Sequence, residues 1–143
     1  MEEALKEARL AFLEGEVPVG AIVVKDGLII GRGHNQREAN LDISSHAEIK
    51  AMKEAAKKLG RWDLSDCSLY VTLEPCLMCT GAILQARIHY LCFGALNPND
   101  GAICSKYHVF DQENACMSPF FDKKVLEQEC QGILMKFFQQ QRR

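Results

Sequence analysis

A three-layer α/β/α sandwich around a central mixed β-sheet is the fold class that this chain of 143 residues predicts. Two observations carry it. Runs of β-branched and apolar residues alternate with amphipathic helical stretches, the order that builds a layered α/β domain. A hairpin pattern precedes the alternation, so antiparallel and parallel strands must share one sheet. The length suits a single domain over residues 1–143, large enough to bury a core without disulfide or metal staples.

The elements follow in order. Met1, Leu5, Ala8 and Phe12 recur at steps of three or four, an amphipathic helix ending near Gly15. Residues 17–24 are rich in β-branched side chains, and Asp26-Gly27 gives a turn before Leu28-Ile29-Ile30, which reads as a hairpin. The segment 31–45 is polar and reads as loop. A second helix runs from His46 to Leu59, with Ile49, Met52, Ala56 and Leu59 as its apolar stripe and Gly60 at its end. Residues 67–73 read as a buried strand, 75–85 as a short helix, and 88–93 as another strand. Residues 94–119 read as loop with one short helical turn. Val125, Leu126, Cys130, Ile133, Leu134, Phe137 and Phe138 mark a closing amphipathic helix. Trp62 is expected to plug the core, and Cys67, Cys92 and Cys130 to serve as small core residues.

Composition bounds the function classes. A net charge of −2 supplies no global basic field, so any nucleic-acid contact must come from local patches. The acidic, amphipathic start Met1-Glu2-Glu3-Ala4-Leu5-Lys6 is unlike a secretory leader, and no apolar run is long enough to span a membrane. Seven cysteines at irregular spacing therefore predict a reducing, cytoplasmic compartment where thiols stay free or bind metal.

Two motifs carry chemistry: His46-Ala47-Glu48 and Pro75-Cys76-Leu77-Met78-Cys79. A catalytic zinc takes three protein ligands and keeps a fourth position for water, and His46, Cys76 and Cys79 supply those three. Glu48 is then free to accept a proton from the water. Both motifs fall at predicted helix starts, where unpaired N–H groups favour thiolate over thiol. His46 and Glu48 are two residues apart and share no face within a helix, so they must sit at its entrance. Alone, each motif is ambiguous. Cys-x-x-Cys also fits a structural zinc site completed by Cys67, Cys92 or His34, or a redox dithiol. Together, and in this order, the motifs match the H-x-E…P-C-x-x-C signature of zinc nucleobase deaminases.

Most of the chain resembles the bacterial tRNA-specific adenosine deaminases, the TadA family of the cytidine-deaminase-like superfamily. The residues that carry the resemblance are the run from Ala11 to Ala21 with its Val17-Pro18-Val19-Gly20 hairpin start, and His46-Ala47-Glu48-Ile49. They continue through the run from Leu69 to Ile83, Phe93-Gly94-Ala95 and the Phe137-Phe138 helix. The resemblance implies hydrolysis of adenosine to inosine at the wobble position of a tRNA anticodon stem-loop. It further implies one Zn²⁺ per chain on His46, Cys76 and Cys79, Glu48 as proton shuttle, attack at C6 of a flipped-out adenine, and a homodimer. Asn35 matches the family's base-binding asparagine, and the Ala47 N–H is similarly placed to meet the base. By its residue type alone, Asn35 also suits a self-capping turn. Three segments depart from the family pattern: Leu96-Asn97, Ala102-Ile103-Cys104-Ser105, and Cys116-Met117-Ser118.

The competing functions are a deaminase of a free base or nucleotide of guanine, cytosine or dCMP type, and a non-catalytic structural-zinc or dithiol protein. Lys50, Lys53 and Lys57 read as a solvated helix face rather than a phosphate stripe. At least one of Phe137 and Phe138 is expected in the core. His34 reads as a loop residue near a turn, and Arg142-Arg143 suits solvent or stem phosphates equally.

Overall fold

The computed structural model describes residues 1–111 and 118–142. In chain order its elements are α1 (Glu2–Leu13), β1 (Gly20–Lys25), β2 (Leu28–His34), α2 (Arg37–Asn40), α3 (Ala47–Leu59) and β3 (Ser68–Leu73). They continue with α4 (Leu77–Ala86), β4 (Tyr90–Ala95), a single 3-10 turn (Val109–Asp111), β5 (Phe120–Asp122) and α5 (Glu127–Gln141). The strands form one sheet in the order β2-β1-β3-β4-β5. β1 pairs antiparallel with β2 and β3, while β3–β4 and β4–β5 are parallel. The mixed sheet expected from the hairpin is present. Its turn is the predicted Asp26-Gly27, both at positive φ (52° and 77°), the geometry that lets a two-residue loop follow the strand twist.

Alternation along the strands separates the layers. Ala21 and Val23 of β1, Leu69 and Val71 of β3, and Leu91 and Phe93 of β4 share one core with Ala47, Ala51 and Ala55 of α3 and Ile83 of α4. Leu5, Ala95 and Cys130 form a smaller cluster between α1, β4 and α5. Helices thus cover both faces, completing the three layers. Phe93, Leu69 and Leu91 are wholly buried, and each such side chain contributes roughly 1.5–3 kcal/mol relative to exposure.

The register of α3 on the sheet differs from the expected stripe. Of that stripe Met52 is buried, whereas Ile49, Ala56 and Leu59 are only partly so; the other deep residues are Ala47, Glu48, Ala51 and Ala55. The reason is close approach. β2 presents Gly31 and Gly33 to the helix, and a Cβ on Gly33 would lie 2.5 Å from the Ala47 carbonyl oxygen. Only a face of alanines on a strand of glycines brings the two backbones this near.

Other differences have equally local causes. The expected loop 31–45 contains the end of β2 and the one-turn α2, which has no buried residue to give it an apolar pattern. Trp62 is 63% exposed and lies under the Arg87 guanidinium, 5.3 Å from its ring centre, while Leu64 fills the core instead. Pro75 precedes the helix rather than starting it: Cys76 is the N-cap of α4. β5 lies between the stretch 94–119 and the closing helix, where no element was expected, because its three residues are all exposed. Cys67, Cys92 and Cys130 are buried as expected.

Candidate metal centre and base pocket

His46 and Cys76 occupy the same place on two different helices. His46 is the N-cap of α3 and Cys76 the N-cap of α4, both with extended backbone (φ −86°, ψ 155° and φ −76°, ψ 177°). Because α3 and α4 pack together against the sheet, their N-termini converge. The His46 Nδ1 lies 3.5 Å from the Cys79 Sγ and 3.7 Å from the Cys76 Sγ. The three donor atoms all lie within 4.8 Å of one another. β3 runs directly into the Cys76 turn, so the cluster stands at the carboxyl end of a parallel strand pair, where open α/β sheets place their ligands.

The protonation pattern follows from this crowding. The neighbouring Cys79 thiol, helped by His46 and opposed by burial, pulls the Cys76 pKa down to about 4. Cys79 is driven the other way, first by its bond to Cys76, then by burial and the Glu48 charge. Its bond to Cys76, followed by the Glu48 charge and against burial, raises the His46 imidazole. Glu48, the second residue of α3, is 4% exposed, and burial lifts its carboxyl to about 7. That places a proton-exchanging group near neutrality beside the cluster.

The donor set fits a metal. Two thiols and an imidazole suit zinc, and three protein ligands leave one corner of a tetrahedron open. Among the described residues the group contains these three only. Cys67, Cys92 and His34, the candidates for a fourth structural ligand, lie elsewhere. Cys67 contacts Asp66, Cys92 sits in β4, and His34 ends β2, its ring nitrogens 3.5 Å from Glu7 and 3.1 Å from Glu14.

Beside the cluster opens a pocket of about 390 Å³, lined by His46, Ala47, Glu48 and Cys76 together with Asn35. Asn35 does act as a turn-former: its Oδ1 accepts from the Arg37 N–H at 3.2 Å, and its Nδ2 donates to the Val17 carbonyl at 3.2 Å. One amide hydrogen and one oxygen lone pair remain for a ligand. Ala47 is the first residue of α3, so its N–H has no acceptor within the helix.

A MafB19-like deaminase family model matches residues 1–142. The tRNA-specific adenosine deaminase of Bacillus subtilis (strain 168) is 43% identical over 143 residues, covering 100% of this chain and 89% of the relative. That of Streptococcus pyogenes serotype M1 is 43% identical over 142 residues, 99% of this chain and 83% of the relative. The chain belongs to the tRNA-specific adenosine deaminase family. A solved structure from studies of A-to-I editing by tRNA:A34 deaminases at the wobble position of transfer RNA agrees. It has a TM-score of 0.91 and 42% identity, covering 94% of this chain and 97% of that one.

Several residues that line the pocket had no role there in the sequence reading. Arg37 is the cationic side chain of the rim, and Leu96, Leu134 and the half-exposed Phe138 form the apolar side. Phe137 is the core member of the aromatic pair, edge-on to both Phe12 and Phe138. Two buried acids hold the walls. Glu16, 2% exposed, accepts from the N–H groups of Glu38 (3.1 Å) and Ala39 (2.7 Å) at the start of α2. Glu74, 1% exposed, accepts from the 97–105 segment; burial pushes its pKa up, but Ser105 and the Cys104, Asn97 and Ser105 amides outweigh it and hold the carboxyl below its usual range. The readable signal for both was an acid abutting an apolar, proline-containing strand end, because a carboxylate buried there must be paired.

Of the departures from the family pattern, Leu96-Asn97 lines the pocket, and 102–105 packs behind it with Ala102 and Ile103 buried. Cys116, Met117 and Arg143 lie outside the described residues. Lys53, Lys57 and Lys58 point to solvent and Lys50 is half-buried; Lys58 pairs with Glu54 at 3.5 Å.

Proposed function

We propose that this deaminase hydrolyses adenosine to inosine at the wobble position of a tRNA anticodon stem-loop. His46, Cys76 and Cys79 would hold one zinc ion, and Glu48 would move the protons. The observation that carries the reading is the convergence of three candidate metal donors on two helix N-termini, beside the buried carboxyl of Glu48. When bound, zinc supplies a Lewis acid that makes water nucleophilic at neutral pH. Glu48 would take one proton from the attacking water and deliver it to N1 of the adenine, then take the second from the new C6 hydroxyl and deliver it to N6, so that the C6–N6 bond breaks and ammonia leaves. Asn35 offers its remaining donor and acceptor to the base, and the Ala47 N–H adds a donor. Leu96, Leu134 and Phe138 keep water from the rest of the ring, and Arg37 at the rim suits a flanking phosphate.

We read the chain as one catalytic domain acting in the cytoplasm, where its substrate is made; no helix among the described residues is long and apolar enough to cross a membrane. We further propose a homodimer. Support comes from an open apolar groove on the outer side of α3 and α4, lined by Ile49, Met52, Trp62, Ala82 and Ala86, a surface of the kind that self-complementary interfaces cover. Sedimentation at micromolar concentration tests it: a monomer there overturns the dimer.

The deciding experiment measures bound metal and inosine together, using a stem-loop with a wobble adenosine. One zinc per chain with inosine formed supports the reading. Zinc without inosine on that substrate, but with turnover of free guanine, cytosine or dCMP, moves the activity to a small molecule. No zinc after reconstitution overturns the metal assignment.

A further inference from the structure

We propose that Glu74 is a positioning residue of the base pocket. Its buried carboxylate holds the wall 96–100 in register with the metal-binding turn, and so sets how tightly the target nucleotide binds. The inference rests on the deaminase reading of the pocket above.

The bonding is concentrated on one segment. Oε1 accepts from the Asn97 N–H at 3.1 Å and from the Ser105 hydroxyl. Oε2 accepts from three consecutive backbone N–H groups, those of Ile103 (3.1 Å), Cys104 (2.7 Å) and Ser105 (3.0 Å). Successive amides in a turn form a concavity for an anion, and here the anion is the protein's own side chain. The backbone adds two ties: the Glu74 N–H donates to the Ala95 carbonyl at 2.8 Å, and the Ala102 N–H to the Pro75 carbonyl at 2.9 Å.

These contacts link two functional pieces directly. On one side is the turn Glu74-Pro75-Cys76, whose last residue belongs to the metal cluster. On the other is the segment whose Leu96, Asn97, Pro98, Asn99 and Asp100 line the pocket. The wall departs from the sheet after Ala95, so its height above the cluster is fixed by what Glu74 holds. Packing allows no slack, because a Cβ on Gly101 would strike the Glu74 carboxyl. Glu74 is therefore neither base nor ligand; it acts through the wall.

The test uses the zinc-loaded full chain and two variants, Glu74→Gln and Ser105→Ala. Glutamine keeps the shape but turns an amide NH₂ toward backbone N–H groups, so bonds are lost. For Glu74→Gln we expect unchanged zinc content, kcat within threefold, and KM for the stem-loop raised at least tenfold. Ser105→Ala removes one donor and should raise KM two- to threefold. Hydrogen exchange without substrate should quicken at least tenfold at Asn97, Ile103, Cys104 and Ser105 in Glu74→Gln, with α3 and α4 unchanged. An unchanged KM overturns the proposal, as does exchange that quickens throughout the molecule instead of at the wall. If Glu74→Gln fails to fold, Ser105→Ala decides, and its unaltered KM overturns. If the wild type forms no inosine, the functional reading falls separately, and exchange confined to the wall still decides for or against the clamp.

Discussion

His46, Cys76 and Cys79 stand on the first turns of two helices whose other faces fill the core, whereas the walls above them are coil and one-turn helix held by single buried carboxylates. In the floor, side-chain identity decides position. The donor cluster is one His and two Cys, side chains whose chemistry suits a metal, and the helix beneath must be alanine against glycine to lie close enough to β2. In the walls, Glu16 and Glu74 grip mainly main-chain N–H groups, so their hydrogen bonds ask little of the held side chains beyond the Ser105 hydroxyl. Two of the three departures from the family pattern, Leu96-Asn97 and 102–105, are wall, while the His46-Ala47-Glu48 and Pro75–Cys79 motifs are intact.

If floor and walls divide the work in this way, floor variants should abolish metal or chemistry and wall variants should weaken binding. Cys76→Ala should have the largest effect, with zinc, activity and much of the stability lost together; metal analysis and thermal unfolding check this, and unchanged zinc content would remove Cys76 from the ligand set. Glu48→Ala should keep its zinc and lose about 10³–10⁴-fold in single-turnover inosine formation. Substantial residual turnover would assign the proton transfers elsewhere. Gly33→Ala forces a methyl against the Ala47 carbonyl and should cost about 3 kcal/mol in a denaturant titration; a neutral result would mean that α3 can shift without penalty. Asn35→Ala bridges floor and wall. Losing its hydrogen bond to the base should raise the barrier by about 1–3 kcal/mol, read in kcat/KM, and normal kinetics would leave it a turn residue alone. Lys58→Ala, on the solvated face, should move stability by no more than about 0.5 kcal/mol.

The same division explains what could be read from the sequence. His46-Ala47-Glu48 and Pro75 to Cys79 were legible because metal chemistry restricts residue type at fixed spacing, and the Asp26-Gly27 hairpin because positive φ does the same. The α3 helix was legible but its buried stripe only at Met52, since hydrophobic periodicity favours Ile49 and Leu59 over the alanines that close approach demands. β5 left no pattern because Phe120, Phe121 and Asp122 are all exposed. Trp62 was misassigned for the complementary reason: a large aromatic suggests burial, and here it lies on the outer groove beneath Arg87. Glu16 and Glu74 escaped because a carboxylate that binds main chain has no partner residue in the sequence, and the only sign was an acid beside an apolar, proline-containing strand end.

The Glu74 contacts also bear on how this site can be altered. A fastener that grips amides accepts a new strip of sequence without being rebuilt, provided the backbone path is kept. Asn99, exposed and lining the pocket, is therefore an exchangeable part, suited to randomised libraries that reshape the pocket side, while Gly101 and the core-packed Ile103 are positions that such a library must leave alone.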